Sequence, residues 1–178
     1  MVREKIVIRL AGFVLFAALS MAGLSVAQAK ETVVASNGVT VSVNGDDFSG
    51  RYEYTAPTIK FDGGFLLIAR VKTPSHTSDV FGTGAFIYSG SWRRYDSAVF
   101  KGGEAVNFTA GNKSVGSCRY GCTLTEEFEV RITDAQLKKY AVDGVVPIQV
   151  RASAIAQTSM IEIPVAHFDA VREVSSGP

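Results

Sequence analysis

From residue 30 onward, the chain is cut into short pieces: turn signals rich in Gly, Asn, Asp and Ser recur about every eight to twelve residues. Between them lie runs that alternate apolar with polar or are rich in aromatic and β-branched residues. That punctuation leaves little room for long helices, and strands do not alternate with helical segments as a doubly wound fold requires. In "ETVVASNGVTVSV" two such runs flank Asn37-Gly38, the signature of a two-residue hairpin turn. "RYEYTAPTIKF" is interrupted by Pro57, which predicts an edge or a bend. "FLLIARV" is continuously apolar through Ala69, as a central strand covered on both faces would be. "VFGTGAFIY", "WRRYDSAVF" and "EAVNFTA" read as three further strands.

"TLTEEFEVRIT" alternates over its length, with Leu124, Phe128, Val130 and Ile132 on one face. Thr133 or Asp134 then caps a short helix carrying Leu137, Tyr140 and Ala141, ended by Gly144. "VVPIQVRASA" and "MIEIPV" return to strand, and Phe168, Val171 and Val174 fall at helical spacing near the end. The fold class that follows is all-β: an antiparallel β-sandwich, Ig-like or jelly-roll-like, with one or two short helices near the C-terminus.

Residues 1–29 follow a different rule. Arg3, Lys5 and Arg9 precede an uncharged, mostly apolar run, and Ala27 and Ala29 form an A-x-A site before Lys30. This is the pattern of a cleaved secretory signal peptide of bacterial type, with an apolar run shorter than a membrane span needs. Residues 30–178 are then expected to form a single domain, periplasmic or secreted, and not an integral membrane protein once the signal is removed. The leader holds three basic residues and one acidic residue in a chain of net charge +1, so the rest is close to neutral. Nucleic acid, which rewards clustered Lys and Arg, is not an expected partner.

The chain has two cysteines, Cys118 and Cys122. A redox pair is usually spaced by two residues and sits at a helix N-terminus. A zinc site needs further ligands, and His76 and His167 stand far apart at no ligand spacing. A disulfide requires the chain to turn between the cysteines, since a straight strand would separate them by about 13 Å. "RYG" can supply that turn, with Arg119-Tyr120 at its centre and Gly121 in the left-handed position. The expectation is a stapled hairpin whose cysteines face each other on the first rung, formed in an oxidising compartment.

Three features remain. Glu126 falls on the apolar face of its strand. The first account is that it reaches water or a backbone donor near the strand's start; the others are an arginine partner (Arg119, Arg93 or Arg94) and a catalytic carboxylate. "SGSWRRYDS" holds the single tryptophan, and Trp and Arg are the side chains that most often anchor interfaces. As a strand it would send Trp92 and Arg94 to one face and Arg93 and Tyr95 to the other, leaving one aromatic for the core. Trp92, Arg93, Arg94 and Tyr95, with the Arg119-Tyr120 tip, are therefore the candidate recognition surface. "NGDDFSG" is read as a turn, since it lacks the ligand spacing of a calcium loop.

No hydrolase, phosphate-loop or dinucleotide motif is present. No catalytic, metal-ligating or cofactor-binding residue is assigned. The expected function is that of an exported envelope protein, a non-enzymatic binding or accessory module whose partner is an envelope protein or a glycan. The alternatives are an assembly module acting by edge-strand pairing, with Pro57 and Pro164 marking the edges, and an exported hydrolase.

Overall fold

The computed structural model describes residues 30–116, 118 and 121–177; residues 1–29, expected to be a leader, and Arg119 and Tyr120 lie outside the described residues. Eleven strands and two helices follow in order: β1 (Lys30–Val34), β2 (Thr40–Asp46), β3 (Arg51–Thr55), β4 (Ile59–Phe61), β5 (Gly64–Lys72), β6 (Phe81–Ser89), β7 (Ser97–Phe100), β8 (Ala105–Val115), β9 (Thr123–Arg131), α1 (Asp134–Tyr140), β10 (Val145–Ala152), β11 (Gln157–Pro164) and α2 (Val165–Ser176). The expected class, antiparallel β with short helices near the C-terminus, is the one observed.

The strands form one antiparallel path, β1-β2-β3-β5-β6-β9-β8-β7-β10-β11, with β4 beside β5. β7, β8 and β9 are a meander; β6 lies beside β9 and β10 beside β7, so two Greek keys overlap on the same three strands. The sheet divides at β8. Its first residues pair with β7, Ala98 opposite Val106, while Asn107 to Val115 pair with β9. The two arms enclose one core, in which Leu66, Ile68, Phe86 and Val130 of one arm join Val146, Ile148, Val150 and Ile161 of the other, all fully buried. Helix α2 packs on β5, β2 and β3 through Phe168 and Val171. The β1–β2 turn is tied to that helix: the Ser36 amide donates to Glu173 at 2.8 Å and Asn37 Nδ2 to the Ala166 carbonyl at 2.9 Å.

Several local expectations hold. β10 alternates as read, with Val146, Ile148, Val150 and Ala152 inside. Thr133 and Gln136 make a reciprocal capping box on α1. Asp46 organises "NGDDFSG" as a turn, accepting from the Phe48 amide at 3.0 Å and the Ser49 hydroxyl at 2.8 Å.

Others are corrected. The first hairpin loop is three residues, Ser36 to Gly38, because Val34 pairs with Thr40 and the Ala35 amide bonds the Val39 carbonyl. Gly38 takes the positive φ (83°) that closes such a loop. Pro57, by contrast, falls at the expected bend, in the break between β3 and β4, and leads into β4, which pairs with β5 alone. Thr55 pairs with Ala69 but Ile59 with Leu66, so one extra residue is accommodated at Ala56–Thr58 in a bulge. Gly144 does not end α1, whose C-cap is Ala141; with Asp143 (φ 51°), Gly144 (φ 79°) makes the tight turn into β10. The largest departure is "WRRYDSAVF", of which only Ser97–Phe100 is strand. The preceding residues follow another constraint.

Candidate functional site

That constraint is Glu126. On β9 it pairs with Phe86 on one side and Lys113 on the other, facing the core as its sequence position indicates. Only 3% of it is exposed. A carboxylate there must be neutral or fully bonded, and Glu126 is bonded. Oε1 accepts from the Tyr88 hydroxyl in a short hydrogen bond, from the Arg93 amide at 3.0 Å and from the Arg94 amide at 2.8 Å. Oε2 accepts from the Tyr95 amide at 3.2 Å, and the Lys113 ammonium stands 3.4 Å away.

Three consecutive amides can converge on one carboxylate because Arg94 is left-handed, with φ of 60°. A left-handed residue turns successive N–H groups toward one point, a main-chain concavity suited to an anion. The loop cannot satisfy Glu126 and also extend β7 back toward Trp92, and Glu126 wins. Leaving a buried carboxylate unbonded costs several kcal/mol, about 3–5 in measured cases, against roughly 1 for each net ladder bond forgone.

The electrostatics follow from the donors. Burial is the largest influence on the Glu126 carboxyl and pushes its pKa upward. The Tyr88 hydroxyl, the Arg94 amide and the Lys113 ammonium together outweigh it, and the net shift is below the usual 4.5. Tyr88 is pushed up to about 12, by burial first and then by the neighbouring carboxylate. Glu126 is therefore ionised across the neutral range. Its roughly four lone-pair directions are all engaged, leaving none to take a proton from a substrate.

The sequence-derived candidates separate accordingly. Tyr95 is core, 4% exposed, stacked on Phe86 with ring centroids 3.7 Å apart. Arg93 is half-buried: its guanidinium lies 4.2 Å from the Tyr88 ring centroid, and Nη1 donates to the Tyr95 hydroxyl at 3.2 Å. Trp92 is half-buried, with the Lys113 ammonium 6.0 Å from its ring centroid. Arg94 is exposed. Arg119 and Tyr120 lie outside the described residues. Cys118 and Cys122 are disulfide-paired, with Cα atoms 3.9 Å apart, and Gly121 has positive φ (108°). They are not level on the ladder. Val115 pairs with Leu124 and the Gly116 amide bonds the Thr123 carbonyl, a register in which Cys118 and Cys122 are not partners.

Of the accounts read from the sequence, the first is the one observed, a backbone donor; Arg93 and Arg94, named in the second as arginine partners, serve Glu126 with their main-chain amides. Tyr88 and Lys113 were missed. Lys113 had no signal, because it reaches the inner face only through a bulge: Ala110 pairs with Phe128 but Lys113 with Glu126. Without the extra residue at Gly111–Asn112, Lys113 would point outward.

The chain matches no family model, no curated protein and no solved structure.

The other regions offer less. A cleft of about 450 Å³ gathers Arg70, Arg131 and Arg172. Arg172 is paired with Asp134 and Asp169, Arg131 with Glu129, and Arg70 donates to the Ser78 carbonyl and the Ser175 hydroxyl. His76 is exposed in its loop. His167 sits in the first turn of α2 with Nδ1 buried and unpartnered, its pKa lowered by that burial. Among the described residues, no three His, Cys, Asp or Glu side chains are grouped to hold a metal ion, and no helix is long and apolar enough to cross a membrane.

Proposed function

We propose that the protein is an exported bacterial envelope protein that works as a non-enzymatic binding or accessory module, with the Trp92–Arg94 loop as its recognition surface. One observation carries this reading. The loop is fixed by its main chain, through three amides on Glu126, so the side chain of Arg94 is left to solvent, in the same loop as Trp92, whose ring faces the Lys113 ammonium. A loop ordered in advance loses less entropy when a partner docks, and Trp and Arg are frequent interface anchors. The hydrolase alternative has less support, since the one carboxylate in an unusual setting is saturated with donors.

The test is a comparison of wild type with Arg94→Glu as baits in an envelope extract. Arg94→Glu alters an exposed side chain and keeps the amide that Glu126 uses. A partner held by wild type and lost from the variant is the expected result; identical captures by both sink the reading. Export is tested on the protein recovered from cells, whose N-terminus should be Lys30 in a periplasmic or secreted fraction. An intact N-terminus in the cytoplasm overturns that part.

A further inference from the structure

β8 has two unequal edges. One pairs with β9 from Asn107 to Val115. On the other, β7 pairs only with Ala105 and Val106, because the chain ahead of Ser97 is drawn away to Glu126. Among the described residues, nothing pairs with that outer edge beyond Val106. Residues 109–116 are exposed throughout, including Ala110, Lys113 and Val115 on the core-facing side.

The direction of the free groups follows from the ladder. The Gly116 amide bonds the Thr123 carbonyl at 2.7 Å. In an antiparallel pair, hydrogen-bonded and non-bonded rungs alternate. Val115 opposite Leu124 and Lys113 opposite Glu126 are therefore non-bonded rungs, with their N–H and C=O groups turned outward. On the core-facing side of this edge stand Trp92, Lys113, whose ammonium is paired with buried Glu126, and the exposed Arg94, whose amide bonds the same carboxylate. Arg93 is turned inward onto Tyr88 and Tyr95, and Glu127, bonded to Asn112, lies on the opposite face.

We propose that this edge of β8 takes an extended acidic segment of another polypeptide as an added strand. The inference rests on the binding-module reading and names its partner. Strand addition supplies main-chain hydrogen bonds, with side chains at alternate positions reading the partner. Acidic residues on the core-facing side of the added strand would meet Lys113 and Arg94. The bulge at Gly111–Asn112 and the lysine blunt the edge against indiscriminate pairing. A second copy is disfavoured, since a two-fold contact at β8 sets the same cationic patch against itself.

The probe is a blocked eight-residue peptide of alternating Val and Glu, titrated into the purified protein while the emission of its single tryptophan is followed. A saturable change is expected, with amide exchange of Lys113 and Val115 slowed in the complex. The Val/Lys counterpart should bind at least about tenfold more weakly. Val115→Pro, which deletes an outward amide and no ladder bond, should abolish binding while the melting temperature holds. Unslowed exchange at Lys113 and Val115 in the wild-type complex overturns strand addition whether or not the variant folds. Equal binding of both peptides overturns the acidic requirement. Binding of trigalacturonate but not of the Val/Glu peptide overturns the inference in favour of an anionic glycan, while the binding-module reading survives. Silence toward all three probes overturns the inference alone, leaving the Arg94→Glu comparison to judge the parent reading.

Discussion

Two glutamates in this protein collect similar donors in opposite surroundings. Glu126 is buried on β9 and accepts from Tyr88, three backbone amides and Lys113. Glu104 is exposed in the β7–β8 turn and accepts from Gln136 at 3.2 Å, from Lys139 at 2.6 Å and from Tyr140. Both carboxyls are held below the usual range. For Glu104 the fall is to about 2, and Lys139 is its first cause. Yet one cluster organises a loop and the other decorates a surface. In water, a carboxylate that loses its partners is solvated again and loses little, and salt screens its ion pairs. In the core there is no such refuge, so the backbone bends to meet the charge.

Breaking the buried cluster should have the largest effect. Glu126→Ala strands three amides and the Tyr88 hydroxyl, and is expected to cost about 3–5 kcal/mol in urea unfolding. A loss below about 1 kcal/mol would mean the loop does not depend on the carboxylate. The same dependence should appear with pH. Because the folded pKa of Glu126 lies below 4.5, its contribution is complete above about pH 4.5 and is lost as pH falls toward the folded value. At the other end, Tyr88 is raised from 10 to about 12, so its contribution is complete below pH 10 and is lost as pH rises through about 12. In Glu126→Gln the acid limb should flatten, read as melting temperature against pH.

Reducing the disulfide should come next. A loop this short contributes about 2 kcal/mol in the chain-entropy model. Trp92 emission should be unchanged on reduction, because Glu126 is positioned by β6 and β8; a red shift would show that the staple holds the cluster. Tyr88→Phe should cost about 1–2 kcal/mol, since four donors remain on the carboxylate. Glu104→Gln should leave the melting temperature within error, and raised salt should not change it. A loss comparable to that of Tyr88→Phe would erase the distinction between the two sites.

Much of the fold was legible in the residues. The strand from Thr123 to Arg131, the helix cap at Thr133 or Asp134, the inward set Val146, Ile148, Val150 and Ala152, and the paired cysteines all depend on neighbours a few positions apart. Glu126 was legible as an anomaly, and water or a backbone donor was the first account given for it. Arg93 and Arg94 were named among its possible partners, but Tyr88, Tyr95 and Lys113 were not, and neither was the convergence of the three amides. Tyr88, Arg93, Arg94 and Tyr95 lie more than thirty positions upstream, and no local pattern places them. Trp92 to Tyr95 were expected in a strand because their composition suits one; the Glu126 carboxylate competes for the same amides and takes them.

By itself the sequence determined the class of fold, the strand-and-turn rhythm and which residues were out of place on an otherwise regular pattern, because two-residue alternation and turn chemistry are properties of short stretches. Only the tertiary structure decided the register. One extra residue at Ala56–Thr58 and another at Gly111–Asn112 each reverse which face the following residues present. Whether a bulge forms depends on the strand alongside and on what must be buried there, and Lys113 meets Glu126 only because both conditions are met.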